Sequence, residues 1–383
     1  MIVIGLGFGD EGKGLTTSFL CSQVKNPLVV RFNGGHQAGH TVVKNGVRHV
    51  FSSFGSGSLQ KAPTYLSHYC TVYPRAIISE FYTLVEDKSV QPRLIVNPLC
   101  PVTTPYDLAH NQKIEDDRGT LRHGSVGVGF GATIQRHEDY FKLFVKDLKF
   151  PQVIKAKLDN ISKYYGFTLE SDEINKFLDD CKHTMEIIEV TDYTEVKSSY
   201  FGNNQWDLVL EGAQGVLLDQ DHGFFPNVTR SNTTTKNALD VWLKLTTTKI
   251  IPPEIYYVTR TYQTRHGAGF MSNNDDISSM ITNNEDETNV SHEYQGEFRI
   301  GSLDPEMINY ALETDSINHK YDGNSYPFKK HLVVTCMDQF PISIETLTHH
   351  LRTDFEKIFV SHGPSLENVQ EYVGVKGKHV LNF

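Results

Sequence analysis

The first fifteen residues, MIVIGLGFGDEGKGL (1–15), decide the fold. A short apolar run stops at the glycine-rich turn GFGDEGKG, and LTTSFLCSQV (15–24) can then continue as a helix, a strand–loop–helix unit of α/β type. The glycines let backbone N–H groups approach phosphate oxygens, Lys13 supplies a point charge, and the helix start favours an anion. A standard phosphate loop has Ser or Thr after Gly-Lys to ligate Mg2+; here Gly14 stands in that place. Asp10, in the middle of the turn, is the candidate to take over as metal ligand, as base, or as both. The bland alternative is a flexible strand-to-helix turn.

Further strand candidates are LVVRF (28–32), HYCTVY (68–73), PRLIVN (92–97), WDLVLEGA (206–213), EIYYVTRTY (254–262) and KHLVVTCMD (330–338). Several end in polar or glycine-rich loops, the pattern of a largely parallel sheet with a site at its carboxyl edge. Residues 137–193 are charged and helically periodic, and read as a helical insertion. Residues 271–296, rich in Asn, Asp and Ser, read as an exposed, mobile loop.

With 383 residues the chain can bury a large core. Its net charge of -10 argues against nonspecific nucleic-acid binding and leaves small molecules as the expected partners. The five cysteines, Cys21, Cys70, Cys100, Cys181 and Cys336, show no paired metal-ligand spacing and read as reduced thiols. The opening apolar run is too short for a membrane span and lacks the flanks of a signal peptide, so the expected location is the cytoplasm, with no membrane partner.

In RFNGGHQAGHTVV (31–43), His36 and His40 are four residues apart, but the run is too glycine-rich for a helix carrying a zinc pair. A loop presenting an imidazole to a charged intermediate fits His40; for His36 a satisfied structural histidine is the competing reading. GSVGVGFGA (124–132) is either a ligand loop or a bulged strand. LEGAQGVLLDQDHGFFPNVTRSNTTTKNAL (210–239) carries an acid, an amide and a hydroxyl-rich turn suited to a polar ligand, with a helix cap at SNTT as the plainer explanation of its end. Arg265 in RTYQTRHGAGF (260–270) and Arg299 in HEYQGEFRIGSLD (292–304) lie beside glycines and are candidate anion ligands.

Five of these segments, in order, resemble the adenylosuccinate synthetases: GDEGKG, GGHQAGHTVV, GSVGVGFGA, EGAQGVLLDQDHG with the following P, VT and SNTT, and YQTRHGAG. The resemblance implies one α/β domain over 1–383, with a mostly parallel central sheet of P-loop-like type, a helical insertion and a homodimeric assembly. It also implies the reaction: an NTP phosphorylates the 6-oxo group of a purine 5'-monophosphate, and the amine of L-aspartate displaces that phosphate.

By the same resemblance Asp10, Lys13, His40 and Gln214 are catalytic. Asp10 is the base at N1, and His40 donates to the phosphoryl group in transfer. Gly9, Glu11, Gly12, Lys13, Gly14, Gly39, His40, Thr41, Asp338 and Gly363 bind the NTP. Asp10, Gln37, Ser125, Val126, Gly127, Gln214 and Thr229 bind the acceptor; Arg265 and Arg299 bind aspartate. Asp10 and the carbonyl of Gly39 hold Mg2+. Arg136 is the candidate to reach the acceptor phosphate of a partner subunit.

Departures from the family pattern cluster around the nucleotides. Val126 stands at a usual Thr, Gln37 at an Asn, and Glu297 at an Arg that meets aspartate and the ribose 2'-hydroxyl. The guanine-reading TKxD appears as Thr335, Cys336, Met337, Asp338, and GPxR as GPSL ending in Leu366. These changes resemble the phage branch, which converts dGMP to N6-succino-2-amino-2'-deoxyadenylate, and they make ATP a candidate donor. Retention of Asp10 fits the alternative, IMP with GTP. A catalytically silent nucleotide-binding module is the reading from a different class.

Overall fold

The computed structural model describes all residues except 120–124, 202–205, 247–251, 274, 276, 283–295, 322, 323, 326 and 375–383. Its centre is a ten-stranded sheet in the order Val369–Glu371, Lys357–Ser361, Lys330–Thr335, Ile255–Arg260, Ile2–Gly5, Asp207–Gly215, Pro27–Arg31, Thr64–Leu66, Leu94–Val96, Glu189–Val190. Every neighbouring pair is parallel except the first, where Val369–Glu371 runs antiparallel to Lys357–Ser361. The strands are apolar on both faces, as a covered parallel sheet requires. Ile2, Ile4, Leu28, Val30, Leu208, Leu210, Tyr257 and Leu332 enter one core, and Val3, Val29, Val209, Tyr256, Val258 and Val333 enter the core on the opposite face.

A third core explains the charged, periodic stretch after residue 137. Helices Pro151–Tyr165 and Ser171–Ile187 bury Ile154, Leu158 and Ile161, and Phe177 and Cys181, at the three- and four-residue spacings of one helix face. These side chains pack with Leu66, Leu94 and Val96 from the sheet. The stretch also contributes the edge strand Glu189–Val190.

Two expectations change. HYCTVY is no strand; the sheet strand is the preceding Thr64–Leu66, and residues 68–73 turn. The amides of Cys70, Thr71 and Val72 go to Ser67, Gly34 and Pro101, so β-type composition yielded to packing around the loop that follows Arg31. Of residues 271–296, Met271, Ile277 and Ile281 are buried, whereas 283–295 lie outside the described residues.

Among the described residues three two-stranded ribbons stand off the sheet, the smallest pairing Lys320–Tyr321 with Asn324–Ser325. His40–Lys44 pairs with Val47–Phe51 across Asn45-Gly46, both at positive φ, the two-residue turn favoured by strand twist. Tyr262–His266 pairs with Phe298–Ser302. Among the described residues no helix is long and apolar enough to cross a membrane.

Candidate active site

The carboxyl ends of the central strands carry the site. After Ile2–Gly5 the loop folds over the side chain of Glu11, whose Oε1 accepts from the amides of Gly7 (3.0 Å) and Gly9 (2.8 Å). Lys13 Nζ donates to Glu11 Oε2 at 2.5 Å, and both side chains are buried. Helix Lys13–Ser22 starts at Gly12, at φ 96°, with no side-chain cap, which leaves its first amides open to an anion. The end of Asp207–Gly215 lies directly against this loop. A Cβ on Gly215 would come within 2.1 Å of the Gly7 carbonyl, so only glycine permits the contact. From the other side, Thr335 Oγ1 donates to the Glu11 carbonyl (2.8 Å) and fastens the loop to strand Lys330–Thr335.

His40, at the start of its hairpin, faces Glu211 in the middle of strand Asp207–Gly215, with Nδ1 2.7 Å from Oε1. Glu211 is fully buried and also accepts from the amide (3.2 Å) and hydroxyl of Ser56. Burial opposes ionisation of Glu211, but His40, Arg31 and Ser56 outweigh it and hold the carboxyl at about 2. Burial lowers His40 below its ordinary value despite Glu211, helped by Arg31 and Lys13. The ligand-free ring is therefore neutral, with its proton on Nδ1 toward Glu211. His40 Nε2 is buried with no hydrogen-bond partner.

Asp10 sits at φ 62°, a left-handed conformation that Asp tolerates better than most residues. Its backbone carbonyl accepts from Arg260 Nε, and its Oδ2 lies 3.1 Å from His266 Nε2. About a third of its side chain is exposed. Burial would raise its pKa, but the His266 hydrogen bond and the charges of Arg260, His266 and Lys13 prevail and hold it below the usual range. Asp10 is thus an ionised, accessible carboxylate.

On the acceptor side, Gln214 takes φ 63° with its Cα 4.0 Å from the position a Gly9 Cβ would occupy, and its Oε1 is buried without a partner. Gln37 has both side-chain polar atoms in the same condition, as does the Thr71 hydroxyl. Buried polar atoms left open in such number mark a surface that expects a ligand or water. His36 packs on Tyr73, with ring centroids 4.9 Å apart, and burial lowers it to about 4.

The 125–129 turn is held to helix Pro105–Arg118: Ser125 Oγ meets Asn111 at 3.1 Å, and the Gly129 amide donates to Asn111 Oδ1 at 3.0 Å. Helix Phe130–Glu138 then starts at Gly129 without a side-chain cap, a second open N-terminus. Gly127 is at φ 77°, and Val126 is 37% exposed. Arg230 donates to Gln135 and Glu138, which draws the Thr229 turn onto this helix. The SNTT stretch meets the start of the next helix: Lys236–Leu245 begins at Thr235, whose own side chain makes no cap bond, but Thr234 Oγ1 accepts from the Lys236 amide at 3.4 Å. Arg136 cannot serve a partner subunit. It is fully buried, pairs with Asp107 through Nε (2.8 Å) and Nη2 (2.9 Å), and donates to the carbonyls of Val102 and Phe141.

Arg265 and Arg299 are directly opposite across the second hairpin. Both embrace the 267–270 turn, Arg265 donating to Phe270 and Asn227 (2.9 Å) and Arg299 to Gly267 (3.1 Å) and Gly269 (2.8 Å). Arg265 also lies over Phe8, 4.3 Å from the ring centroid. Burial, then the neighbouring Arg299 charge, lowers Arg265 to about 10. Like charges set opposite one another destabilise a hairpin, and an anion between them relieves it. Glu297 is exposed. Asp338 is exposed on the turn after Thr335, next to Met337, whose amide donates to Ser361 (3.0 Å); Ser361 Oγ in turn donates to the Gly363 carbonyl (2.7 Å).

Among the described residues no three or more His, Cys, Asp or Glu side chains converge as a metal cage. One accessible carboxylate, Asp10, and the exposed backbone of Gly39 suit Mg2+ in particular, which binds through one or two protein oxygens and takes the rest from phosphates and water.

Two open helix N-termini, a buried Lys beside one, an oriented His with a free nitrogen and an ionised Asp make a site suited to a phosphorylated ligand at the carboxyl edge of an α/β sheet. The adenylosuccinate synthetase family matches residues 2–321. An adenylosuccinate synthetase of Ectopseudomonas mendocina is 32% identical over 338 residues, covering 83% of this chain and 75% of that one. One from Psychrobacter cryohalolentis is 33% identical with the same coverage of both chains. A fully ligated adenylosuccinate synthetase structure from Plasmodium falciparum is similar with a TM-score of 0.77 at 18% identity, over 96% of this chain and 98% of that one. The succinoaminodeoxyadenylate synthetase of cyanophage S-2L, bound to dGMP and to dATP as energy donor, is similar with a TM-score of 0.64 at 17% identity, over 97% and 94%. The chain belongs to the adenylosuccinate synthetase family, carbon–nitrogen ligases that join aspartate to a purine nucleotide.

Proposed function

We propose that the protein uses ATP to join L-aspartate to C6 of dGMP, forming N6-succino-2-amino-2'-deoxyadenylate. The observation that carries the chemistry is that Asp10 lies in the phosphate loop and His40, oriented by Glu211, packs against Gly14 of the same loop. Asp10 removes the N1 proton of the purine, so that O6 becomes nucleophilic and bonds to the γ-phosphorus as the nucleoside diphosphate leaves. His40 Nε2 meets the transferring group. A phosphoryl dianion there favours the imidazolium, whose charge the Glu211 carboxylate balances through Nδ1. Aspartate, its carboxylates held by Arg265 and Arg299, then attacks C6; the C6–O bond breaks and phosphate departs with the oxygen. Lys13 offsets phosphate charge, and Gln214 and Gln37 bind the acceptor. Mg2+, held by Asp10 and the Gly39 carbonyl, would supply further charge neutralisation on the phosphates.

The choice of acceptor rests on Glu297, exposed beside Arg299 where the family places an arginine at the ribose 2'-hydroxyl. A 2'-deoxy sugar needs no such donor. That the cyanophage enzyme binds dGMP and dATP agrees with this reading. The choice of ATP rests on Cys336, Met337 and Leu366 in place of the guanine-reading residues. In a homodimer the cation reaching the partner's acceptor phosphate would be a residue other than Arg136.

The test offers IMP, GMP and dGMP, each with ATP or GTP, aspartate and Mg2+, and follows product mass and absorbance. Turnover of dGMP with ATP is expected. Preference for GMP would mean that Glu297 accepts from a 2'-hydroxyl, and preference for IMP would restore the usual family reaction; either sinks the dGMP reading. Nucleotide binding without turnover of any acceptor would favour the silent module.

A further inference from the structure

We propose that His266 is the positioning residue of Asp10, its Nε2–H holding Oδ2 so that Oδ1 is the oxygen presented to the purine N1 proton. This rests on the reading of Asp10 as the base. The two groups are 3.1 Å apart, and among the described residues no other side chain donates to the Asp10 carboxylate. An ionised carboxylate can only accept, so the proton between them belongs to the imidazole.

The ring is itself well placed. His266 ends strand Tyr262–His266, is directly opposite Phe298 and packs on that ring with centroids 4.7 Å apart. Its Nδ1 is buried without a partner, so the bond to Asp10 is the polar contact that sets its rotation. Asp10 needs such a hold because its backbone sits in the left-handed region, kept there by Arg260 on its carbonyl. Arg260 fixes the main chain and His266 fixes the side chain. In the proton transfer the N1–H bond breaks and an Oδ1–H bond forms, while the His266 proton stays on Nε2 throughout.

The test separates the two imidazole nitrogens. Gln places its amide nitrogen near the position of Nε2, whereas Asn reaches only that of Nδ1. His266→Ala should lower kcat roughly 10- to 100-fold, the scale of a misplaced reacting group, with KM for each substrate little changed. His266→Gln should recover most of the loss and His266→Asn should not. Equal behaviour of the Gln and Asn variants, or an Ala variant at wild-type kcat, overturns the proposal. A readout independent of turnover is the Nε2–H proton in histidine-labelled protein, which should lie downfield and move in Asp10→Ala. If it does not move, the hydrogen bond is absent and the proposal fails. If it moves but no acceptor is turned over, the reading of Asp10 as base fails while the positioning contact stands.

Discussion

Glu211→Gln isolates the charge behind His40. The amide oxygen can still accept from His40 Nδ1 and the Ser56 hydroxyl, but its NH2 group then faces the Ser56 amide, which now donates to Oε2 at 3.2 Å. Geometry is largely kept; the negative charge is lost. An imidazolium and a carboxylate about 4 Å apart between charge centres attract by roughly 4 kcal/mol at an effective dielectric of about 20. Part of that survives as a neutral hydrogen bond, so a loss of about 3 kcal/mol in the transition state, or roughly 100-fold in kcat, is expected. Single-turnover assays following nucleoside diphosphate release and product absorbance read the chemical step. KM should change little, because the charge matters only as phosphoryl transfer develops. The buried Arg31 also loses a compensating charge, and the donor clash at Ser56 adds to a destabilisation of about 1–3 kcal/mol, read separately by denaturant titration. A variant with wild-type kcat and this loss of stability would show that Glu211 supports the fold and leaves His40 to act alone.

Three further outcomes follow from the same geometry. Asp10→Asn should reduce turnover by roughly 100-fold or more while calorimetry still detects acceptor binding, since the base is lost and the shape is not; normal turnover refutes the assignment. Glu297→Arg should raise kcat/KM for GMP relative to dGMP by roughly tenfold, the worth of one charge-assisted hydrogen bond; an unchanged ratio means residue 297 does not meet the sugar. His137 is buried and lowered to about 3 by burial, then by Arg136. Between the unfolded value near 6.5 and about pH 3 the unfolded chain binds the extra proton, so stability falls with falling pH, by a few kcal/mol over that window. Urea titrations from pH 7 to pH 4 should show a shallower decline in His137→Gln; parallel curves would refute it.

The sheet was legible where an apolar run meets a glycine turn: Ile2–Gly5, Pro27–Arg31 and Asp207–Gly215 all announce themselves this way. HYCTVY misled because its β-type residues are buried by packing around a turn, and six residues carry too little periodicity to tell the two apart. Of the site, the loop residues and the arginine pair stand out by type and spacing. The partner of His40 does not, because it is 171 residues away and appears in sequence only as an acid in a polar run. An acid within an otherwise apolar, buried parallel strand is the available signal. His266 was hidden beside Arg265, and the buried pairing of Arg136 with Asp107 depends on packing that no local pattern encodes.

The bond from Thr335 Oγ1 to the Glu11 carbonyl has a meaning for how such an enzyme changes its fuel. The side chain that braces the phosphate loop precedes, by a single step along the chain, the turn that would read the donor's base. Brace and reader are covalently adjacent yet chemically separate. Side-chain exchange at Cys336, Met337 or Asp338 leaves the brace from Thr335 Oγ1 to the Glu11 carbonyl in place.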